Sequence, residues 1–462
     1  MIAFPRRVAR RFRAACARCV SGRPRGPAPC VVIRQSKARV TLTATFPEVT
    51  LELACDIPAA LSREEVLVAS MTALEAVEST SEELVTFDPG KQLQGIARWG
   101  DSGLVPVAFL LPGKQHDPLP RPRVVKSLPA PFVTALHEAS RTACRENGRF
   151  ALSRVQVRGQ KGQVIATDGK VAVIFSQFSF PFAEDLLIPA IPLFGCPELR
   201  DSKEVRVGRT TTHLVVSAGD WTVWLGIAST GKFPDVAGVI PRHSPTTVTL
   251  DQAAIAELVT RLPSLPGNDH EFRPVTLDAK GKLAIRAAEG DAVQDVRLDR
   301  SSVVGPAAQV VLDRRSLARM LTLGCRTLRI NPERALIGEG NGVIFVAACL
   351  DPDLAVASES SSKSLTPSTP STPSAPSTPP TTSQQMKPSE TNNHPPNGRH
   401  DPPAESLDPL VAAEELRAVL AEAATKAARL VTALKQSKKE KKALANVFAG
   451  LKQLNLNAGD VR

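Results

Sequence analysis

Between about Ala355 and Ser406 the chain carries no apolar face at all. Ser358 to Ser364 lead into repeated Ser-Thr-Pro through Pro379, and then Asn, His and Pro follow. Such a segment cannot bury enough surface to offset the entropy of ordering it, so it reads as a disordered, partly extended tether. At 462 residues the chain is long enough for two to four domains with full cores, and the packed units are read in residues 1–351. Beyond the tether, Leu416, Leu420, Ala423, Ala427, Leu430 and Leu434 follow 4-3-4-3-4 spacing, resumed by Leu444, Phe448 and Leu451. That spacing predicts a helix over residues 407–457 with a coiled-coil-like stripe. The basic run Lys438, Lys439, Lys441 and Lys442 flanks the break in the seam. Self-pairing, docking on a partner, covering the body and plain solvation all remain open for it.

The first 351 residues repeat one plan three times. Each stretch opens with an amphipathic helix, passes through alternating strands, has a second short helix and closes with more strands. The opening helices are expected at Arg6 to Cys19, Pro131 to Arg145 and Leu250 to Leu262, the last with Asp251 near its N-cap. The second helices are expected at Ala69 to Val77, Pro189 to Cys196 and Asp313 to Leu323. Strand runs such as Val40 to Thr45, Gln163 to Thr167, His213 to Val216, Trp221 to Leu225 and Lys282 to Ala287 fill the intervals. The expected fold is thus α+β, with domains at residues 1–125, 126–243 and 244–351, a Pro/Ser/Thr-rich linker at 352–406 and the final helix.

Charge and chemistry narrow the function. The net charge of +11 and pI near 9.4 favour an acidic polymer or surface as partner, without choosing among DNA, RNA and anionic lipid. Eight scattered cysteines suit a reducing cytosol, and Cys16 and Cys19 form a lone CxxC with no second pair to complete a zinc site. No nucleophile elbow, phosphate-cradling loop, HExxH or paired-carboxylate signature occurs, so the chain reads as a protein that holds and positions, needing no cofactor and no metal. The longest apolar stretch, Leu104 to Pro112, is too short to span a bilayer.

Two stretches are more specific. Gln163-Val164-Ile165-Ala166-Thr167-Asp168-Gly169-Lys170 reads as a strand running into an Asp-Gly turn. Gly231-Lys232-Phe233-Pro234-Asp235-Val236-Ala237-Gly238-Val239-Ile240-Pro241 is an extended segment bounded by prolines. In that order, bracketing the Leu187-Ile188-Pro189-Ala190 run, they resemble the middle domain of the bacterial β sliding clamp, the DNA polymerase III β subunit family. The resemblance covers about residues 5 to 351, strong in the second domain, fair in the third and weak in the first. It implies three domains per chain with helices lining a hole and sheets outside, two chains closed head to tail around duplex DNA, and a non-enzymatic processivity factor in the cytoplasm at the nucleoid. It also implies polymerase and clamp-loader subunits as partners.

On that resemblance, weak phosphate contacts would come from arginines on the hole-facing helices. Arg6, Arg7, Arg10, Arg11, Arg13 and Arg18 surround an apolar stripe on the first helix; Arg141 and Arg145 end the second domain's opening helix; Arg261, Arg314, Arg315 and Arg319 belong to the third domain. Glu75 and Glu78, beside the first domain's second helix, have the wrong sign for such a wall. The family's hydrophobic peptide cleft maps to Leu152, Thr167, Gly169, Lys170, Val171, Pro241, Ile344 and Val346. Where the family has His-Arg-Leu after the turn, this chain has Lys170-Val171-Ala172, and its closing Met-Pro-Met is replaced by Val346-Ala347-Ala348. In the tail, Gln453, Leu454 and Leu456 resemble a clamp-binding peptide that lacks its aromatic anchor, Asn457 standing in that place. The tail would then visit a cleft of its own chain or its neighbour.

Three rivals stay open. The Arg-rich start, with no acidic residue before Glu48, is also similar to a transit peptide or a membrane-surface helix. A clamp-fold paralogue working as an oligomeric scaffold through its tail helix needs no loading on DNA. An enzyme with an unfamiliar site is the third.

Overall fold

A computed structural model describes residues 1–357, except 23–25, 91–92, 145–150, 242, 269, 291 and 333–334. Residues 358–462 fall outside the described residues, and with them the tail helix, the motif at Gln453, Leu454 and Leu456 and the expected linker 352–406 except its first six residues, which form a 3-10 turn at Pro352–Leu354 and are held by the Val356 N–H donating to Thr276 Oγ1.

In the first unit β1 (Ile2–Pro5) leads into α1 (Arg6–Cys16), then β2 (Val31–Thr45), β3 (Val49–Ala69), α2 (Met71–Val77), β4 (Leu84–Asp88), β5 (Gln94–Trp99) and β6 (Gly103–Leu110). The second unit runs β7 (Val125–Leu128), α3 (Pro131–Thr142), β8 (Arg154–Arg158), β9 (Gln163–Thr167), β10 (Val171–Phe175), β11 (Asp185–Pro189), a 3-10 turn at Pro192–Gly195, α4 (Pro197–Arg200), β12 (Val205–Arg209), β13 (His213–Ala218) and β14 (Trp221–Gly226). A short turn, α5 (Val236–Val239), leads to the third: β15 (Thr246–Thr249), α6 (Gln252–Arg261), β16 (Pro274–Lys280), β17 (Lys282–Glu289), β18 (Ala292–Arg297), β19 (Ser302–Val304), β20 (Ala308–Asp313), α7 (Arg314–Thr322), β21 (Thr327–Asn331), β22 (Ala335–Gly340) and β23 (Val343–Ala348).

The helix starts follow local chemistry. Ser70, Asp251 and Asp313 cap α2, α6 and α7 by accepting from backbone N–H groups of the first turn, and Pro131 opens α3 where no N–H is missed. The ends differ from the sequence expectation by a few residues. Ala69 still belongs to β3 because Ser70 takes the cap. Pro189 ends β11, so the middle unit's second helix is displaced to the 3-10 turn and α4, each begun by a proline. There Gly195 lets the turn approach α3: a Cβ would lie 2.6 Å from the His137 ring.

Strands cross the unit boundaries. One sheet has the order β1-β4-β5-β6-β3-β14-β13-β12-β7, with β2 paired to β3; a second runs β11-β8-β9-β10-β23-β22-β21-β15-β19; a third is β18-β17-β16-β20. The last strand of the second unit, β14, thus adds to β3 of the first, and the last strand of the third, β23, adds to β10 of the second. In the first unit the four-strand stretch becomes one long hairpin, β2 and β3, with register shifts between Gln35 and Arg39. That irregular unit is where the sequence resemblance was weakest.

Alternation decides which face meets the helices. Val164, Ala166, Val173 and Phe175 join the main core under α3, while Ile165, Ala172 and Ile174 face the other way. In α3 itself Phe132 is fully buried, edge-on to Phe178 and Phe180 at 5.3 and 5.7 Å. Phe132→Ala is expected to cost about 3–5 kcal/mol of unfolding free energy in a denaturant titration, since it leaves a cavity against two other rings.

Candidate functional site

Eleven arginines against four glutamates, with no lysine or aspartate, make the six helices α1, α2, α3, α4, α6 and α7 net positive. Partners decide which of them are available. On α1, Arg6 donates to Glu83 at 2.9 Å and to the Val77 carbonyl, and Arg7 pairs with Glu82. Arg13 reaches both Glu75 (3.2 Å) and Glu78 (2.7 Å), which accounts for the acidic residues that looked misplaced in the sequence. Arg10 is exposed with no ion pair among the described residues. Arg11 lies 5.8 Å from the Trp221 ring, and exposed Arg18 donates to the Cys196 thiol. Arg141 pairs with Glu138 at 2.7 Å, Arg261 with Glu257 at 2.9 Å and Arg315 with Asp313 at 2.8 Å, all three arginines being exposed. Arg145 lies outside the described residues.

Two arginines are corrected. Arg314 is 3% exposed and donates to the carbonyls of Leu265 and Pro266, so it closes the chain after α6 and is withdrawn from any outside surface. It is the first residue of α7, and the helical turn that exposes Arg315 points Arg314 inward. Arg319 reaches from α7 to α3, donating to Glu138 Oε2 (2.8 Å), Thr142 Oγ1 (2.9 Å) and the Glu138 carbonyl, with its guanidinium 5.6 Å from the Phe345 ring. It ties the second unit to the third. Burial pushes the Glu138 carboxyl up, but hydrogen bonds and charge from Arg319 and Arg141 outweigh it and hold the group below its usual value. Nothing short-range in the sequence pairs residues this far apart.

The two sequence stretches meet in space. The Asp-Gly turn is built by its own side chains: Asp168 Oδ1 accepts from the N–H groups of Lys170 and Val171, Thr167 Oγ1 donates to the Val171 carbonyl, and Gly169 has φ +94°, where only glycine sits without strain. Beside it the outer face of β9, β10, β22 and β23 carries an apolar cluster of Ile165, Ala172, Ile174, Ala335, Ile337 and Val346. Val236 is buried on this cluster, and Phe233, Ile240 and Ile344 pack on it half-exposed. Val346 pairs with Ala172 in the ladder, and the Ala348 N–H donates to the Lys170 carbonyl. Lys170 places its ammonium 5.1 Å from the Phe272 ring of the third unit. Pro241 accepts from Arg329 through its carbonyl, and half-buried Leu152 accepts from the Cys144 N–H. Of the cluster, the residue-by-residue reading had only Ile344 and Val346; it missed Ile165, Ala172, Ile174, Ala335 and Ile337 on the strands, and Phe233, Val236 and Ile240, which lie inside the quoted Pro-bounded stretch. Cavities of about 410 and 320 Å³ lie elsewhere, on the outer face of the first junction and beyond the end of α1.

Three buried thiols offer no nucleophile. Burial pushes Cys16 and Cys19 well up and Cys325 up to about 12, so all three stay protonated. Among the described residues no group of three or more His, Cys, Asp or Glu could hold a metal, and no helix is long and apolar enough to cross a membrane.

No protein-family model and no curated protein matches the sequence. Solved structures do match in shape. The DNA polymerase III subunit beta from Pseudomonas aeruginosa superposes with a TM-score of 0.59 at 17% identity, covering 76% of this chain and 99% of that one. Caulobacter crescentus pol III beta gives 0.60 at 16%, with 76% and 99% covered. The DNA polymerase sliding clamp from Bacillus subtilis gives 0.62 at 14%, with 76% and 98% covered. At these identities the likeness shows the fold: the chain has the three-domain α+β architecture of bacterial β sliding clamps, in a strongly divergent sequence.

Proposed function

We propose that the chain is a sliding clamp, a head-to-tail ring dimer that encircles duplex DNA and tethers polymerases. The observation that carries this reading is a pair of open strand edges. Each internal junction pairs the last strand of one unit with the outermost strand of the unit before it, β14 with β3 and β23 with β10. By the same rule β6, the last strand of the first unit, needs a partner. From Gly103 to Ala108 it pairs only with β5 among the described residues. In the third unit the order β20-β16-β17-β18 matches β11-β8-β9-β10, so β18 holds the place of β10 and, among the described residues, is paired on one side only. One edge lies in the first unit and the other in the third, so joining them between two copies is a heterologous contact that closes. The edges carry exposed Leu104 (55%) and Val293 (44%), apolar surface that a third junction would cover. Pro106 withdraws one donor from β6 and limits the ladder there.

Within such a ring, Arg10, Arg11 and Arg18 would supply the free phosphate contacts. Arg261 would exchange the exposed Glu257 carboxylate for phosphate at little cost, and Arg141 and Arg315, themselves exposed, would add to the field while keeping Glu138 and Asp313. The apolar cluster beside the Asp-Gly turn would take partner peptides from polymerases or a clamp loader. A cytoplasmic, nucleoid-associated place follows from the same reading, with no catalysis by the chain itself. The second reading, a clamp-fold scaffold that is not loaded on DNA, is favoured by how many helix arginines are already paired within the chain.

Retention on circular DNA separates the two. After loading or at high protein concentration, with salt raised to suppress simple phosphate binding, the clamp is expected to stay on circles and run off the same DNA once linearised. Equal, salt-sensitive loss from both would replace the clamp with the scaffold.

A further inference from the structure

The two internal junctions are built alike in backbone and oppositely in chemistry. At the second, the outer sheet face is apolar and the connecting segment Phe233–Ile240 lies on it. At the first, the corresponding outer face of β2, β3, β12, β13 and β14 is polar, and a cavity of about 410 Å³ opens there. Its volume falls in the range of ligand-sized pockets. The connecting segment crosses above Gly208, where a Cβ would lie 2.6 Å from Pro122, and buries Trp224, whose indole N–H donates to the Pro120 carbonyl.

We infer that this cavity is a second recognition site, which takes a short acidic peptide segment by its carboxylates. Three guanidinium groups line it, from Arg39, Arg121 and Arg206, against the carboxylates of Glu52 and Asp220. Glu52 is already matched: its carboxylate is paired with Arg121, which also donates to Thr222 Oγ1 and lies 4.8 Å from the Trp224 ring. Arg121 is thereby the fixed wall. Among the described residues Arg39 and Arg206 are held only by Asp56 and Glu204, whose side chains are 81% and 68% exposed and do not line the cavity. Exposed pairs of this kind contribute little, so a ligand carboxylate can replace either partner cheaply, and a planar guanidinium binds it in bidentate fashion. The two groups stand on β2 and β12, with β3, β14 and β13 between them, so together they select a segment that carries two or more carboxylates along its length. The apolar face at the second junction has no such groups in its cluster, so the two faces would sort partners by charge.

The test is a titration of the full chain with a fluorescein-labelled hexapeptide of alternating Asp and Glu, followed by polarisation, with the Asn/Gln hexapeptide as comparison. The acidic peptide is expected to bind, the amide peptide at least 10-fold more weakly, and Arg39→Gln and Arg206→Gln each to weaken acidic-peptide binding about 10-fold. Both side chains are more than half exposed, so unchanged thermal melts are expected of the variants. The chain is basic overall, so Arg10→Gln and Arg18→Gln serve as controls and should leave the affinity unchanged. Binding that survives both cavity variants, or that the Arg10 and Arg18 changes abolish, overturns the site in favour of diffuse attraction to the helices. No binding of the acidic peptide overturns it outright.

Discussion

Glu138→Ala is expected to destabilise the body by about 3–5 kcal/mol, because it removes the shared acceptor of a largely buried pair and leaves Arg319 charged beside Phe345. The Glu138 side chain is 10% exposed and that of Arg319 is 22%, so solvent replaces little of the lost interaction. The measurement is a denaturant titration of the wild type, Glu138→Ala and Glu138→Gln. Its pH dependence gives a second readout. The folded carboxyl titrates below its unfolded value of 4.5, so its stabilisation is complete above that pH and is lost as pH falls through the lower folded value. His137, lowered by burial, adds loss of the same sign below its unfolded 6.5. Glu138→Gln should therefore lose the slope at more acid pH and, because the Glu138 charge raises the His137 value, enlarge the loss that begins below 6.5. An Ala variant within 1 kcal/mol of wild type would show that Arg319 is not the tie between the second and third units.

The double change Leu104→Glu and Ala108→Glu is expected to weaken dimerisation about 100-fold, roughly 3 kcal/mol, by placing two charges on the open stretch of the β6 edge. Val293→Glu, on the β18 edge, should act in the same direction. Sedimentation of each variant alone should show monomer at concentrations where the wild type is dimeric. The informative sample is the mixture. In a head-to-tail ring a β6 variant and a β18 variant share one seam with both faults and one with none, so mixing restores partial dimer. An isologous contact through either edge would restore nothing. Variants that remain wild-type dimers, alone and mixed, would remove the ring from consideration.

Much of the candidate site was legible in the residues. Thr167-Asp168-Gly169 specifies its own turn, since the hydrogen bonds that close it come from those side chains and the +94° φ needs glycine. Asp251 and Asp313 cap the helices they precede for equally local reasons. What stayed hidden was set by distance along the chain. Phe233 and Ile344 pack on one cluster only because β23 adds to β10, a pairing between units that no local period encodes.

The arginines show the same division within a single helix. Composition alone determined that the helices are basic, and the apolar spacing of Val8, Phe12 and Ala15 determined which face of α1 is buried. Tertiary structure decided which charges are left over. Arg314 is consumed by carbonyls that follow α6, Arg319 by a glutamate 181 residues away, and Arg13 by Glu75 of α2 and Glu78 just past its end. The sequence by itself determined the elements, their turns and the sum of charge, because these depend on neighbours within a few residues. The availability of each charge and the open edges of β6 and β18 were decided only by folding, because both depend on which distant group or strand arrives alongside.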